Sequence, residues 1–409
     1  MIMFKYRGVI SIPPLGMIDD LAAIAKCGAE SVILNALINA KISMKRMEFN
    51  KTKCVKLHIS KEDRNICSKD GGEDENMKNM SCVFLEAQDF EMKSVNQEKY
   101  IGDVISSNGS NDANVSRRRS IGMGAIAQIF SILKEISLGY QYIEIGLILR
   151  ESILLSKMLL SAEAWHKVYK YQIEKLEEVD KIFYRKLFNS HSKTGIEFFY
   201  SESGTIPLRI RISLRRLLYW WHILHVDKAE MIYRVYLAQK LSPVAGDWVN
   251  LLEKDKEEFQ IKISDEEISE TSKLTFKNYV KSKAKELTIQ YLENLQKKKS
   301  KSKQLDMADL TTSPYLLDKR FSKEERELLF KLRSRTVQVK DNFKQAYLYN
   351  NMLCELCQLF PCTQAHPLQC PKLTVNLIVD KSLNRNEKVI FGTTDQQQRI
   401  LGLKREDYE

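Results

Sequence analysis

Only eight prolines and sixteen glycines punctuate this 409-residue chain. So few turn residues exclude a turn-rich β protein and favour mostly helical structure. Long uninterrupted apolar runs are also missing. The most apolar stretch, IGLILRESILLSKMLL, is broken by Arg150, Glu151 and Lys157, so no membrane span and no membrane partner are expected. Nothing at the start reads as a secretory signal, because Met1-Ile2-Met3-Phe4 leads at once into Lys5 and Arg7. The eight cysteines are scattered early and clustered late. That distribution fits a reducing intracellular compartment, nuclear or cytoplasmic, with one metal site rather than a secreted disulfide scaffold. Residues 1–18 contain no Asp or Glu, and no internal repeat is visible.

What is present is positive charge. The formal net charge is +11 and the sequence pI about 9.0, which points to an anionic partner. Between Tyr291 and Asn350, 14 Lys/Arg face 8 Asp/Glu, so most of the excess belongs to one region. Its densest part, KKKSKSK from Lys297 to Lys303, makes Lys297, Lys298 and Lys299 candidate phosphate contacts, the alternative being a solvated linker. An apolar fraction of 44% is ordinary for a globular chain with sizeable cores.

Periodicity predicts a mainly α protein in five parts. Residues 1–110 mix short strands with one helix: Val9 to Ile12 and Leu21 to Ala25 are short and apolar, Ser31 to Met47 has helical spacing, and KYIGDVISSNG runs as a strand into a turn at Asn108-Gly109. Residues 111–250 carry three amphipathic stripes: Ile126, Ile129, Phe130, Leu133 and Ile136; then Ile148, Ser152, Leu155 and Leu159; then Ile173, Leu176, Val179, Phe183 and Leu187. Such stripes with short connections predict a helical bundle. A basic helical connection (251–345), a Cys/His module (346–375) and a weakly patterned tail (376–409) complete the chain.

The most specific chemical signal is CELCQLFPCTQAHPLQC. Cys354 and Cys357 form a C-x2-C pair, and His366 and Cys370 an H-x3-C pair. Two short-spaced pairs can close a tetrahedral Zn²⁺ site and stabilise a segment too small to build its own core. Cys362 is a fifth candidate ligand, and a cluster of ordinary buried thiols is the plainer alternative. A second constellation is IPLRIRISLRRLLYWWHILH. On a helix, Arg211 and Arg215 share a face, as do Arg209 and Arg216. The arginines suit phosphates and the aromatic rings suit base stacking; equally, Leu214, Leu217, Leu218, Trp221 and Leu224 form a stripe to be buried with the arginines solvated opposite. Arg117 to Arg119 add a weaker basic signal at a helix start. Finally, Asp19 and Asp20 in PPLGMIDDL are either helix-capping residues or a metal-binding pair on a tight hairpin, as in two-metal phosphoryl transfer, which needs a further carboxylate from another strand.

In order along the chain, these pieces resemble the C-terminal part of a non-long-terminal-repeat retrotransposon reverse transcriptase. PPLGMIDDL resembles the family's two-aspartate hairpin, with Asp19 and Asp20 in the paired positions and Met17 where an aromatic is usual. MEFNKTKC is similar to the following motif, which implies that Asn50 and Lys53 lie near the incoming nucleotide. KYIGDVISSNG resembles the hairpin that grips the primer end, with Tyr100, Ile101 and Gly102 as its core. The helical block resembles the thumb, and the terminal quartet the family's Cys/Cys/His/Cys knuckle, with Thr363 in place three residues before the histidine.

The resemblance implies a truncated α+β palm remnant, a thumb-like helical bundle and a small zinc knuckle. It implies RNA or an RNA–DNA or DNA duplex as partner, structural Zn²⁺, and Mg²⁺ only if the palm site were complete. In the family, the fingers and the palm motif bearing another aspartate precede the part matched here. The expectation is therefore a fragment that binds nucleic acid without polymerising alone. The alternatives are a full-length active enzyme whose frame opens upstream of Met1 and a non-enzymatic helical scaffold.

Overall fold

The computed structural model describes residues 4–6, 10–12, 15–17, 20–22, 55–57, 93–135, 141–166, 168–298, 310–319, 321–334, 336, 353, 358–359 and 361. Strands are short and come in pairs. β1 (Phe4–Tyr6) with β2 (Ile10–Ile12), β3 (Leu15–Met17) with β4 (Asp20–Ala22), and β7 (Gln97–Tyr100) with β8 (Asp103–Ser106) are antiparallel, while β5 (Val55–Leu57) and β6 (Lys93–Val95) are parallel. Helices follow: α1 (Asp112–Glu135), α2 (Tyr142–Leu149), α3 (Lys170–Leu187), α4 (Ile196–Ser203), α5 (Leu208–His225), α6 (Met231–Leu241), α7 (Trp248–Glu258), α8 (Asp265–Glu270), α9 (Lys273–Lys298), α10 (Pro314–Leu317) and α11 (Lys323–Arg333). The protein is mainly helical with small two-stranded sheets. Among the described residues, no helix is long and apolar enough to cross a membrane.

Local chemistry explains several boundaries. Ser264 and Ser322 each accept a hydrogen bond from the backbone N–H three residues on, while Glu267 and Glu325 reach back to the serine N–H. These capping boxes open α8 and α11. Gly204 ends α4 in the left-handed region at φ 64°. A Cβ there would meet the Thr311 carbonyl carbon at 2.3 Å, so the position needs glycine twice over.

Two compact units form, each from segments far apart in sequence: Met1–Arg117, Ser161–Gln172 and Arg215–Phe276 in one; Arg118–Leu160, Ile173–Leu214 and Lys277–Glu409 in the other. This differs from the strictly sequential five-part division, because helical stripes bury wherever complementary faces meet. In the first unit, Trp220 is fully buried with Leu217, Leu252 and Phe276, its ring edge-on to Phe276 at 6.1 Å. In the second, Ile126, Ile129, Phe130 and Leu133 are buried on α1, and Leu176, Val179, Phe183 and Leu187 on α3. Phe130 and Phe183 meet at 5.7 Å. An aromatic stack of Tyr184, Phe188, Phe199 and Phe330 extends this core, its closest rings, Phe188 and Phe330, being 4.4 Å apart.

One expected stripe is broken. Leu155 and Leu159 are buried as predicted, but Ile148 is 57% exposed and Ser152 is exposed. A π-helical turn from Arg150 to Leu155 follows α2 directly. Its wider turn rotates the side chains out of 3.6-residue phase, turning Ile148 outward and burying Arg150 completely.

Candidate functional site

The acidic pair lies at a strand junction. Met17 of β3 stands opposite Asp20 of β4, so Asp20 opens a strand and not a helix, against the capping alternative. Ile18 and Asp19, which connect the strands, lie outside the described residues, as do Asn50 and Lys53.

The second hairpin is described in full. Tyr100 pairs with Asp103, and Ile101 and Gly102 between them have φ 45° and φ 88°. Two left-handed residues in a two-residue loop make a turn of the I′ kind, whose twist matches that of the strands and which ordinarily takes Asn-Gly. A β-branched residue there is strained. The turn is held from α1, where the Arg117 guanidinium donates to the Gly102 carbonyl at 2.6 Å and Asn114 Oδ1 accepts from Val104 N–H at 3.3 Å. Ile101 is 44% exposed at the tip and Tyr100 half-buried beside it. The expected turn at Asn108-Gly109 also forms, with Gly109 at φ 63° donating its N–H to Ser106 at 3.0 Å; the tight hairpin is the earlier one.

The α5 arginines are drawn into ion pairs. Arg211 Nη1 lies 2.7 Å from Glu151, and Arg215 Nε 3.1 Å from Glu163. Arg216 is buried against Asp255. The phosphate-gripping role expected for Arg216 does not fit that placement, since a buried guanidinium stripped of its carboxylate would stand uncompensated. Arg209 is exposed, with its guanidinium over the Tyr291 ring at 5.5 Å. Of the neighbouring aromatics, Trp220 lies in the core, while the half-buried Trp221 stacks on the exposed His225 at 3.7 Å and its indole N–H donates to the Thr271 carbonyl at 2.9 Å.

Sequence reasoning missed the most highly charged interior cluster. Arg150 and Asp180 are both fully buried and joined by two bonds of 2.7 Å. Arg150 also donates to Glu151 at 2.7 Å, Tyr200 donates to Asp180 at 3.2 Å, and the guanidinium lies 4.9 Å from the Tyr184 ring centre. Burial alone would weaken the Arg150 charge, but Asp180 outweighs it and its pKa is raised. Burial pushes the Tyr184 phenol up to about 12. Close by, burial and then the Asp180 charge raise Glu177 to about 7, opposed by Arg209, whose backbone N–H donates to the carboxylate. The cluster fixes the π-helical turn to α3 and α4. Its one visible signal in the sequence was an arginine interrupting an otherwise apolar run.

Lys297 and Lys298 are exposed at the end of α9, and Lys299 lies outside the described residues. So do Cys354, Cys357, Cys362, His366 and Cys370. Flanking the C-x2-C pair, however, Leu353 bridges antiparallel to Pro361, and Gln358 has φ 53°. Among the described residues, no group of three or more His, Cys, Asp or Glu is arranged to hold a metal. Comparison of the chain with family models, curated proteins and solved structures finds no match.

Proposed function

We propose that this chain is a nucleic-acid-binding segment of retrotransposon reverse-transcriptase descent, engaging RNA or a primer–template duplex. The observation that supports it best is the pairing of β3 with β4, with Met17 opposite Asp20. An Asp-Asp pair at such a junction is the arrangement two-metal phosphoryl transfer uses. The order of parts supports it further: the β7–β8 hairpin, then helices, then a C-x2-C pair flanked by a chain reversal. Synthesis would need a third carboxylate from another strand, so the proposal is confined to binding.

Phosphate contacts release counterions, so affinity for a primer–template duplex should fall steeply with salt. The triple change Lys297→Glu, Lys298→Glu, Lys299→Glu should flatten that dependence by about one unit of log–log slope for each lysine that meets a phosphate. Affinity that is flat with salt, or undetectable at low salt, would end this reading. A second reading, a non-enzymatic helical scaffold, is favoured by the engagement of Arg211, Arg215 and Arg216 with carboxylates. Stable association with a protein partner and no nucleic-acid affinity would select it.

A further inference from the structure

Ahead of α3 the sequence reads HKVYKY, from His166 to Tyr171. Tyr169 and Tyr171 are 52% and 44% exposed, yet their rings are stacked with centroids 5.8 Å apart and planes only 13° from parallel. A hydrogen-bond network centred on the buried Gln172 joins their segment to Asp112. Gln172, fully buried, accepts from the Tyr169 N–H at 2.9 Å and donates to Asp112 at 3.0 Å. Tyr171 donates its hydroxyl to the same Asp112 oxygen at 2.7 Å, and Ser110 donates to the other at 2.7 Å. The Asp112 carboxylate is thus occupied on both oxygens in positioning the pair.

Two large aromatic rings fixed in parallel at the surface add little to a core, because much of their area stays in water. They do present a flat π surface, with the exposed Lys170 between them in sequence. We infer that Tyr169 and Tyr171 form a stacking platform for unpaired bases of single-stranded nucleic acid. This rests on the nucleic-acid-binding reading above and narrows it to an unpaired strand. Because the rings already lie on each other, a base adds to an outer face of the pair and does not insert between them. Stacking of this kind tolerates any base, so the preference is for single strands over duplex and not for a sequence.

The test uses the full chain and a single-stranded oligothymidylate carrying one 2-aminopurine, alone and annealed to its complement. Wild type should bind the single strand more tightly and quench the probe. Tyr169→Ala with Tyr171→Ala should weaken single-strand binding about 5- to 100-fold with the salt slope unchanged, while Tyr169→Phe, which keeps both rings and the Tyr171–Asp112 bond, should retain both affinity and quenching. Tyr169→Ala alone leaves the Tyr171–Asp112–Gln172 bonds in place and should also weaken binding, which guards against misfolding of the double variant. If wild type binds but the alanine variants bind and quench equally well, or Tyr169→Phe fails as badly as Tyr169→Ala, the platform is refuted and the wider reading survives. If wild type binds neither probe at low salt, both fall.

Discussion

Glu177 sits where burial, neighbouring carboxylates and a helix N-terminus compete for one carboxyl. Asp180 and Glu174 on its own helix and burial raise its pKa, while Arg209 opposes them from the start of α5; the phenols of Tyr200 on α4 and Tyr291 on α9 also feel its charge. Its pKa of about 7 in the fold lies above the ordinary 4.5, so the folded state holds the proton more tightly than the unfolded one. The stabilisation is complete below the ordinary value and is lost as pH rises through about 7. Glu177→Gln, which can still accept from the Arg209 N–H, should therefore be more stable than wild type at pH 8 by roughly 1–3 kcal/mol and equal to it near pH 4. Urea unfolding at both pH values checks this, and a difference independent of pH would refute it. Asp180 poses the opposite case, because Asp180→Asn leaves Arg150 buried without its main counter-charge. That should cost about 3–5 kcal/mol, with much of the loss recovered when Arg150 is replaced by leucine as well. Neither residue drew notice in the sequence. A buried ion pair joins positions 30 apart, and no local pattern announces it.

At the scale of elements, periodic burial was legible and departures from standard geometry were not. Ile126, Ile129, Phe130 and Leu133 of α1 and Leu176, Val179, Phe183 and Leu187 of α3 are buried as their spacing predicts, since an α-helix presents every third or fourth residue to one side; Ile173 is half-buried, and Ile136 lies outside the described residues. The stripe through Ile148 fails because the π-helical turn at Arg150–Leu155 changes the phase, and the Arg150–Asp180 pair ties that turn to α3. Local turn chemistry alone points to Asn108-Gly109, and it is the family resemblance that puts Tyr100, Ile101 and Gly102 in a hairpin: Ile-Gly stands where Asn-Gly is the recognisable signal, and Arg117 holds the β7–β8 turn closed from α1. Ile101→Asn should relieve the strain of φ 45° and stabilise the protein by about 0.5–1 kcal/mol. An unchanged or lower melting temperature would mean that the exposed Ile101 side chain contributes more than the backbone loses. Gly204→Ala should destabilise by more than about 1 kcal/mol, since the left-handed backbone and the Thr311 approach both oppose a Cβ.

For the whole molecule, the excess of positive charge is legible in the sequence, but the engagement of individual cations is not. Composition cannot say which cations are already engaged, and Arg211, Arg215 and Arg216 lie against carboxylates supplied from far along the chain. Exposed lysines stand at the end of α9, at Lys297 and Lys298. The Cys/His module is the reverse case, because its chemistry is local and its spacing alone carries the expectation. The Leu353–Pro361 bridge and the left-handed Gln358 lie on either side of the C-x2-C pair in sequence, and two thiolates so closely spaced can be presented to one ion. Metal analysis of the full chain should therefore find one Zn²⁺ for each chain. Cys354→Ser or Cys370→Ser should abolish it, and Cys362→Ser should leave it unchanged. The helical units, which bury their own cores, should keep their circular dichroism and unfolding midpoint after chelation, because metal binding contributes folding energy only to the segment that it closes. A folded, metal-free chain would remove the site, and loss of zinc from Cys362→Ser would reassign the fourth ligand.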